Sequence, residues 1–234
     1  CLLTSVFFPM DLILFGRQGS GKGTQGKFLA ERYNLTPFVT GDELRRLANE
    51  PSELGQKVKS IIEAGHLVPN AVVMEIIENF MKGLAKGSRV LFDGIPRQME
   101  QAESFDALMA KLEPDSGRAF KGVVIEISEK SAIQRLTARR ICEGCKTVYP
   151  ADYPQESCEA RQSNGQLCKG KLIIRSDDAN MESIQNRLAA YRNETLPVLA
   201  HYKKMNLIVE VDGEPPIKEV TKTLTGKLDT LFSF

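Results

Sequence analysis

Nine consecutive residues, Gly16-Arg17-Gln18-Gly19-Ser20-Gly21-Lys22-Gly23-Thr24, have the types and spacing to hold a phosphate. Glycines let a backbone curl so that successive N–H groups point inward and form an anion nest. A helix starting at the end of such a loop adds the partial positive charge of its N-terminus. Lys22 is then placed to reach the β and γ phosphates of a nucleotide. Gly23 follows the lysine where Ser or Thr is usual, so the hydroxyl falls one place later, at Thr24. A glycine turn with a surface lysine is the plainer alternative. The apolar run Leu12–Phe15 before the loop and the helical pattern Thr24–Tyr33 after it speak against that.

Other polar residues could serve the same chemistry. Asp93 ends an apolar run and can hold Mg²⁺ through its water shell, or simply form a turn. Gly94 and Pro96 make a tight turn from which Arg97 projects. In Thr40-Gly41-Asp42-Glu43-Leu44-Arg45, Gly41 permits close backbone approach and Arg45 can grip a phosphate bidentately. A capped helix with a solvated arginine would look the same. Arg135 and Arg139 stand at i and i+4, on one helix face, where like charges repel unless an anion lies between them. Arg175 precedes Asp177-Asp178, and Arg187 follows on the next helix. Cys142 and Cys145 have the spacing of a zinc knuckle. Cys158 and Cys168 depart from it, with nine residues (159 to 167) between them. A structural Zn²⁺ on these four is the reading, against four reduced structural cysteines. A four-cysteine site leaves no open position for catalysis.

In order along the chain, these motifs resemble the adenylate kinases, a family of nucleoside monophosphate kinases. The resemblance lies in Gly21-Lys22-Gly23-Thr24, in Thr40-Gly41-Asp42 with Arg45, in Gly65-His66-Leu67-Val68-Pro69, and in Asp93-Gly94-Ile95-Pro96-Arg97, where Ile95 replaces a phenylalanine. It continues through the pair Arg135 and Arg139, the segment Arg175-Ser176-Asp177-Asp178 with Arg187, and the cysteine-rich segment closed by Lys169-Gly170-Lys171-Leu172. It implies that Gly19, Ser20, Gly21, Lys22, Gly23, Thr24, Asp93 and Arg135 bind MgATP, Arg135 against its base. Thr40, Gly41, Arg45, Val68, Gly94, Arg97 and Gln101 would bind AMP, with Gln101 reading the adenine edge. A side-chain amide suits that edge, although an exposed helix residue would fit Gln101 as well. Lys22, Arg97, Arg139, Arg175 and Arg187 would converge on the transferring phosphoryl group. Asp177 and Asp178 would hold the arginines in place. Arg17-Gln18 replaces a proline-containing pair common in the family.

The elements that must position these groups follow from composition and pattern. A chain of 234 residues with 42% hydrophobic residues can fill one α/β core with small insertions. Strand candidates are Asp11–Phe15, Arg89–Phe92, Gly122–Ile127 and Leu207–Val211, with a weaker one at Pro37–Val39. They alternate with helical patterns, which argues a parallel sheet wrapped by helices. Asn70 is expected to cap a helix whose apolar stripe runs from Val72 to Leu84, and Met99–Leu112 forms another such stripe. Glu113–Lys121 reads as a loop. Pro197 is expected to kink a long helix from about Glu182 to Met205.

The expected fold is an α/β P-loop three-layer sandwich with a central parallel sheet. Its core would comprise 10–38, 69–140 and 179–234, with a monophosphate-binding insertion at 39–68, a metal-binding lid at 141–178 and an N-terminal extension at 1–9. Such an insertion of fewer than 40 residues needs a staple like zinc. A net charge of +1 and the absence of Trp exclude a global basic field and offer little for base stacking, so no nucleic-acid partner is expected. The apolar start is broken by Pro9 and Asp11 before it could span a bilayer, and no basic region precedes it. A monomer in the cytoplasm, with ATP and AMP as partners and no membrane, is the expectation. The function classes in contention are an adenylate kinase, a kinase of GMP, UMP or CMP, and a zinc-ribbon nucleic-acid-dependent ATPase.

Overall fold

A computed structural model describes residues 10–64, 66–85, 87–112, 119–150, 153–162 and 164–231. The expected extension 1–9, Gly65 and most of the expected loop at 113–121 lie outside these residues. The elements in chain order are β1 (Met10–Phe15), α1 (Lys22–Tyr33), β2 (Thr36–Val39), α2 (Thr40–Ala48), α3 (Glu53–Glu63), α4 (Asn70–Lys82), β3 (Val90–Asp93) and α5 (Met99–Leu112). Then come β4 (Ala119–Glu126), α6 (Glu129–Ala138), the short strands β5 (Arg140–Cys142), β6 (Val148–Tyr149) and β7 (Leu172–Ile174), a 3₁₀ turn (Ser176–Asp178) and α7 (Met181–Ala190). A π-helical turn (Tyr191–Thr195), α8 (Leu196–Lys204), β8 (Ile208–Asp212) and α9 (Ile217–Leu228) complete it.

The main sheet has strand order β2-β3-β1-β4-β8, and every pairing in it is parallel. The apolar runs seen in the sequence become these strands because a parallel sheet buries both faces. Alternation splits β1 between two cores. Leu12 and Leu14 pack with Leu29, Leu91, Val123, Ile125 and Leu224, whereas Ile13 and Phe15 pack with Phe38, Phe92, Phe105 and Tyr202. Fully burying each such side chain is worth about 1.5–3 kcal/mol. The strand order reverses at β1, whose neighbours are β3 and β4, and the loop after β1 therefore opens into the crevice at the carboxyl ends of the strands.

A second, antiparallel sheet of order β6-β5-β7 stands apart from the first in sequence and carries the cysteines. Its strands are two or three residues long, too short for a polar, turn-rich segment to signal them. Three local expectations change. Asn70 is the first residue of α4, and Pro69 occupies the cap position. The Asn70 amide instead donates to Glu100 and Ser104. The segment after Gly117 enters the sheet at Ala119, three residues earlier than the apolar pattern indicates. The long C-terminal helical segment is interrupted ahead of Pro197 rather than at it. The π turn Tyr191–Thr195 absorbs the break, and Pro197 sits in the first turn of α8, where a missing N–H costs least. Among the described residues no helix is long and apolar enough to cross a membrane.

Candidate active site and metal centre

The loop after β1 wraps around the Lys22 side chain. Gly16, Gly19 and Gly21 have φ of 144°, 85° and 96°, which explains the glycine spacing. A Cβ on Gly16 would lie 2.5 Å from the Ile125 carbonyl oxygen, so the loop can pass this close to β4 only without a side chain. The Lys22 ammonium donates to the carbonyls of Gly16 (2.6 Å) and Arg17 (3.0 Å). Burial pushes its pKa down to about 8. The charges of Arg97 and Arg139 act in the same direction, and Asp93 opposes them. Burial likewise raises the Asp93 carboxyl, against the pull of Lys22 and Arg97. Gly23 and Thr24 lie in the first turn of α1, and Ser20 is buried with its hydroxyl lacking a partner among the described residues.

Arg17 turns away from the cleft. Its Nη1 donates to Glu126 (3.0 Å) and to the Ile127 carbonyl (2.8 Å), and its guanidinium lies 5.0 Å from the Tyr191 ring centre. A long-range anchor thus stands where a proline would stiffen the loop locally. Gln18 faces the cleft instead.

Across the cleft, α2 begins at Thr40, whose buried hydroxyl has no partner among the described residues. The guanidinium of Arg45 folds back on Asp42 and over Gly41, where a Cβ would meet Nη2 at 3.1 Å. Gly94 has φ 89°, and a Cβ there would meet the Arg97 guanidinium at 2.9 Å. Arg97 Nε donates to the Gly94 carbonyl (2.9 Å). Among the described residues no carboxylate lies within ion-pair distance of Arg97, and burial with the nearby charges of Arg45, Arg187 and Arg175 lowers its pKa, against the pull of Asp93. A guanidinium so crowded by cations is a place for an anion. Gln101 is 3% exposed, and its Oε1 accepts the Arg97 N–H (2.9 Å), which orients the amide. Val68 is buried and, with Leu44 and Ile62, makes this part of the cleft apolar.

The remaining arginines form a network with two carboxylates. Asp178 accepts Arg139 Nε at 2.7 Å on one oxygen and Arg187 Nη2 at 2.7 Å on the other. Asp177 binds Arg175 through both oxygens and Arg187 through one. Burial works against the Asp177 charge, but the Arg175 bonds and the surrounding arginines outweigh it and lower the pKa to about 2. Arg97, Arg175 and Arg187 line the same cleft as Arg45 and Gln101. Arg135 does not join them. The helix α6 ends at Ala138, and Arg139 is its C-cap with an extended backbone (φ −67°, ψ 133°). The two arginines therefore do not share a helix face, and the expected repulsion between them does not arise. Arg135 Nη2 donates to the carbonyls of Gly213 (3.0 Å) and Glu214 (3.2 Å).

The sulfurs of Cys142, Cys145, Cys158 and Cys168 all lie within 4.8 Å of one another. The closest pairs are Cys145–Cys158 at 3.4 Å and Cys142–Cys168 at 3.6 Å. Tetrahedral Zn²⁺ with Zn–S bonds of ~2.3 Å sets its sulfurs ~3.8 Å apart, so the donor set fits zinc in number, type and spacing. The Cys145 N–H donates to Cys142 Sγ (3.4 Å), and a Cβ on Gly170 would strike the same sulfur at 2.5 Å. Cys158 belongs to the group despite its distant sequence partner. Sequence reasoning missed Tyr149, whose hydroxyl touches Cys158, and the Glu126–Tyr191 anchor of Arg17. Neither carried a local signal.

A profile of the family described as adenylate kinase matches residues 14–207. The chain is 38% identical over 224 residues to an adenylate kinase of Methanocella arvoryzae, covering 95% of this chain and 100% of that protein. It is 35% identical over 221 residues to one from Paramagnetospirillum magneticum (94% and 99% covered). To one from Staphylococcus aureus strain Mu50 it is 34% identical over 226 residues (95% and 100% covered). With a nested lysine, a cation-lined cleft and the match running through both, this chain belongs to the adenylate kinase family of phosphotransferases.

Proposed function

We propose that this protein catalyses the reversible Mg²⁺-dependent transfer of the γ-phosphoryl group of ATP to AMP, giving two ADP, and so balances the adenine nucleotides. The observation that carries this is the convergence of Arg97, Arg175 and Arg187 on one cleft, with Arg97 lacking any carboxylate partner among the described residues. The N–H groups of the loop, with Gly19, Ser20, Gly21, Gly23 and Thr24, cradle the ATP phosphates around Lys22. Arg135 flanks the base. Thr40, Gly41, Arg45, Val68, Gly94, Arg97 and Gln101 receive AMP.

Asp93 and Thr24 offer the hard oxygen donors that Mg²⁺ prefers, and no side-chain hydrogen bond engages the Asp93 carboxylate among the described residues. Mg²⁺ held there would neutralise negative charge on the phosphate oxygens of ATP. The chain does the rest by position and charge. Lys22, Arg97, Arg139, Arg175 and Arg187 surround the transferring group, while Asp177 and Asp178 keep three of these arginines aimed. No general base is required, because the AMP phosphate, with a second pKa of about 6, is largely dianionic at neutral pH. Closure of 39–68 and 141–178 over the core made of 10–38, 69–140 and 179–234 excludes water, the competing acceptor. The four cysteines hold a structural Zn²⁺ in the lid. The enzyme acts as a cytoplasmic monomer on small molecules, without nucleic acid or membrane.

Adenine is favoured by Gln101. With its oxygen turned to the Arg97 N–H, its amide nitrogen can donate to N1 of adenine, an acceptor, whereas N1 of guanine carries a proton. The test is coupled ADP formation from MgATP with AMP, GMP, UMP and CMP. AMP should exceed the others by at least about tenfold in kcat/KM, the factor that about 1.4 kcal/mol of discrimination supplies. Equal turnover of all four would refute the assignment of the acceptor, and turnover stimulated by RNA or DNA would favour a nucleic-acid-dependent ATPase.

A further inference from the structure

Nine residues separate Cys158 from Cys168, yet backbone pairing brings the two cysteines together. The Cys158 N–H donates to the Gly170 carbonyl (2.8 Å), Lys169 N–H to the Cys158 carbonyl (2.8 Å), and Cys168 N–H to the Ala160 carbonyl (2.9 Å). Further out, Gln162 N–H reaches the Gln166 carbonyl (2.9 Å). The long spacer is therefore a hairpin, and its base presents both sulfurs to Cys142 and Cys145.

Tyr149, at the end of β6, inserts its hydroxyl into that base and is 8% exposed. Two backbone N–H groups donate to its oxygen, from Glu159 (3.1 Å) and Ala160 (3.2 Å). A phenol oxygen has two lone pairs and one proton. With both acceptor positions filled, the proton is directed to the remaining neighbour, Cys158 Sγ, 3.1 Å away. Cys158 is 1% exposed, so water does not compete for that sulfur.

We infer that the Tyr149 hydroxyl donates a hydrogen bond to the Cys158 thiolate and thereby strengthens the hold of the four-cysteine centre on its metal. The inference rests on the zinc reading of that centre. Four thiolates around Zn²⁺ leave a net charge of −2, and donors aimed at the sulfurs spread that excess. Cys142 receives such a donor from the Cys145 N–H, and Cys158 receives the tyrosine. Tyr149 acts through Cys158, as a positioning residue. Its ring is held separately, against Tyr153 at 4.2 Å between centres, while Tyr153 donates to Glu159 (2.9 Å). Tyr149→Phe should thus keep the packing and lose the bond.

The experiment compares the intact protein with Tyr149→Phe and Tyr153→Phe. Zinc affinity is read by competition with a chromophoric chelator, and the thiolate-to-metal charge-transfer bands are read after Co²⁺ substitution. Tyr149→Phe should weaken zinc binding by about 10- to 100-fold, the usual effect of removing a partner that orients a metal ligand. Its charge-transfer bands should move to lower energy, because the thiolate becomes more electron-rich. Tyr153→Phe should stay within about twofold of the intact protein, with unchanged bands. Equal affinity and equal bands in the intact protein and Tyr149→Phe would overturn the inference alone. So would weaker binding with unmoved bands, or an equal loss in Tyr153→Phe, since either makes hairpin packing the cause. An intact protein that takes up no thiolate-bound metal would overturn both this inference and the zinc reading.

Discussion

Replacing Asp178 with asparagine tests whether the arginine network exists to aim charge at a reacting phosphoryl group. The Asp178 side chain is fully buried and binds Arg139 and Arg187, one on each oxygen. The Asp178→Asn substitution would keep the shape, remove the charge and turn an N–H₂ toward one guanidinium. Each hydrogen bond to a charged group contributes about 1.5–3 kcal/mol, and stranding a buried ionic partner costs about 3–5 kcal/mol. Arg139 retains 17% side-chain exposure and Arg187 9%, so water at the cleft relieves part of this. A loss near the lower end, about 3 kcal/mol, is expected. For a chain of this length that lowers Tm by about 6–12 °C. The kinetic effect should be separate. With Arg139 released and Arg187 held by Asp177 without Asp178, kcat should fall about 100-fold, comparable to removing one preorganised donor from a dry site. KM for ATP should change by no more than about threefold, because Lys22 and the loop are untouched. Thermal unfolding and the coupled ADP assay measure the two effects. A variant with a lowered Tm and an intact kcat would refute the reasoning, since the network would then be scaffolding alone.

Three further outcomes follow from the same geometry. Asp177 has a folded pKa of about 2, below that of an unfolded aspartate near 3.9, so its contribution of about 2.5 kcal/mol is fully present above pH ~4 and fades as pH falls toward 2. Urea unfolding between pH 5 and pH 2.5 should show this loss, and Asp177→Asn should flatten that part of the curve. Lys22 titrates near pH 8 in the nucleotide-free protein. Phosphates beside it favour the charged form, so ATP binding at pH 8.5 should take up a fraction of a proton, detected by calorimetry in buffers of different ionisation enthalpy. A zero uptake there would place Lys22 away from the phosphates. Excising 141–174 is geometrically feasible because Arg140 and Ile174 face each other across β5 and β7, and a short glycine linker can join the ends. Transfer to AMP should be largely lost while far-UV circular dichroism and cooperative unfolding of the remaining core persist, and a retained transfer rate would contradict the role given to the lid.

The glycine loop around Lys22, the alternation of strands with helices and the burial of β1 were legible in the chain because each is a short-range property. Strand, glycine loop and helix are contiguous from Met10 to Tyr33, and burial on both faces of a parallel sheet leaves an apolar run that can be read without knowing its neighbours. The cysteines were legible as a group by their chemistry, although the spacing of Cys158 and Cys168 obscured how they meet. That required a hairpin whose pairing depends on Gly170 and Lys169, beyond any knuckle pattern. Helical spacing misplaced Arg139 relative to Arg135, because α6 stops one residue short and packing against Asp178, thirty-nine positions later, sets the direction of the side chain. The same limit hid the destination of Arg17 on Glu126 and Tyr191. Residue type and near spacing disclose which groups could bind phosphate or metal. Where Arg17 and Arg139 finally point depends on partners 109 and 39 positions away, and those come within reach only once the chain has folded.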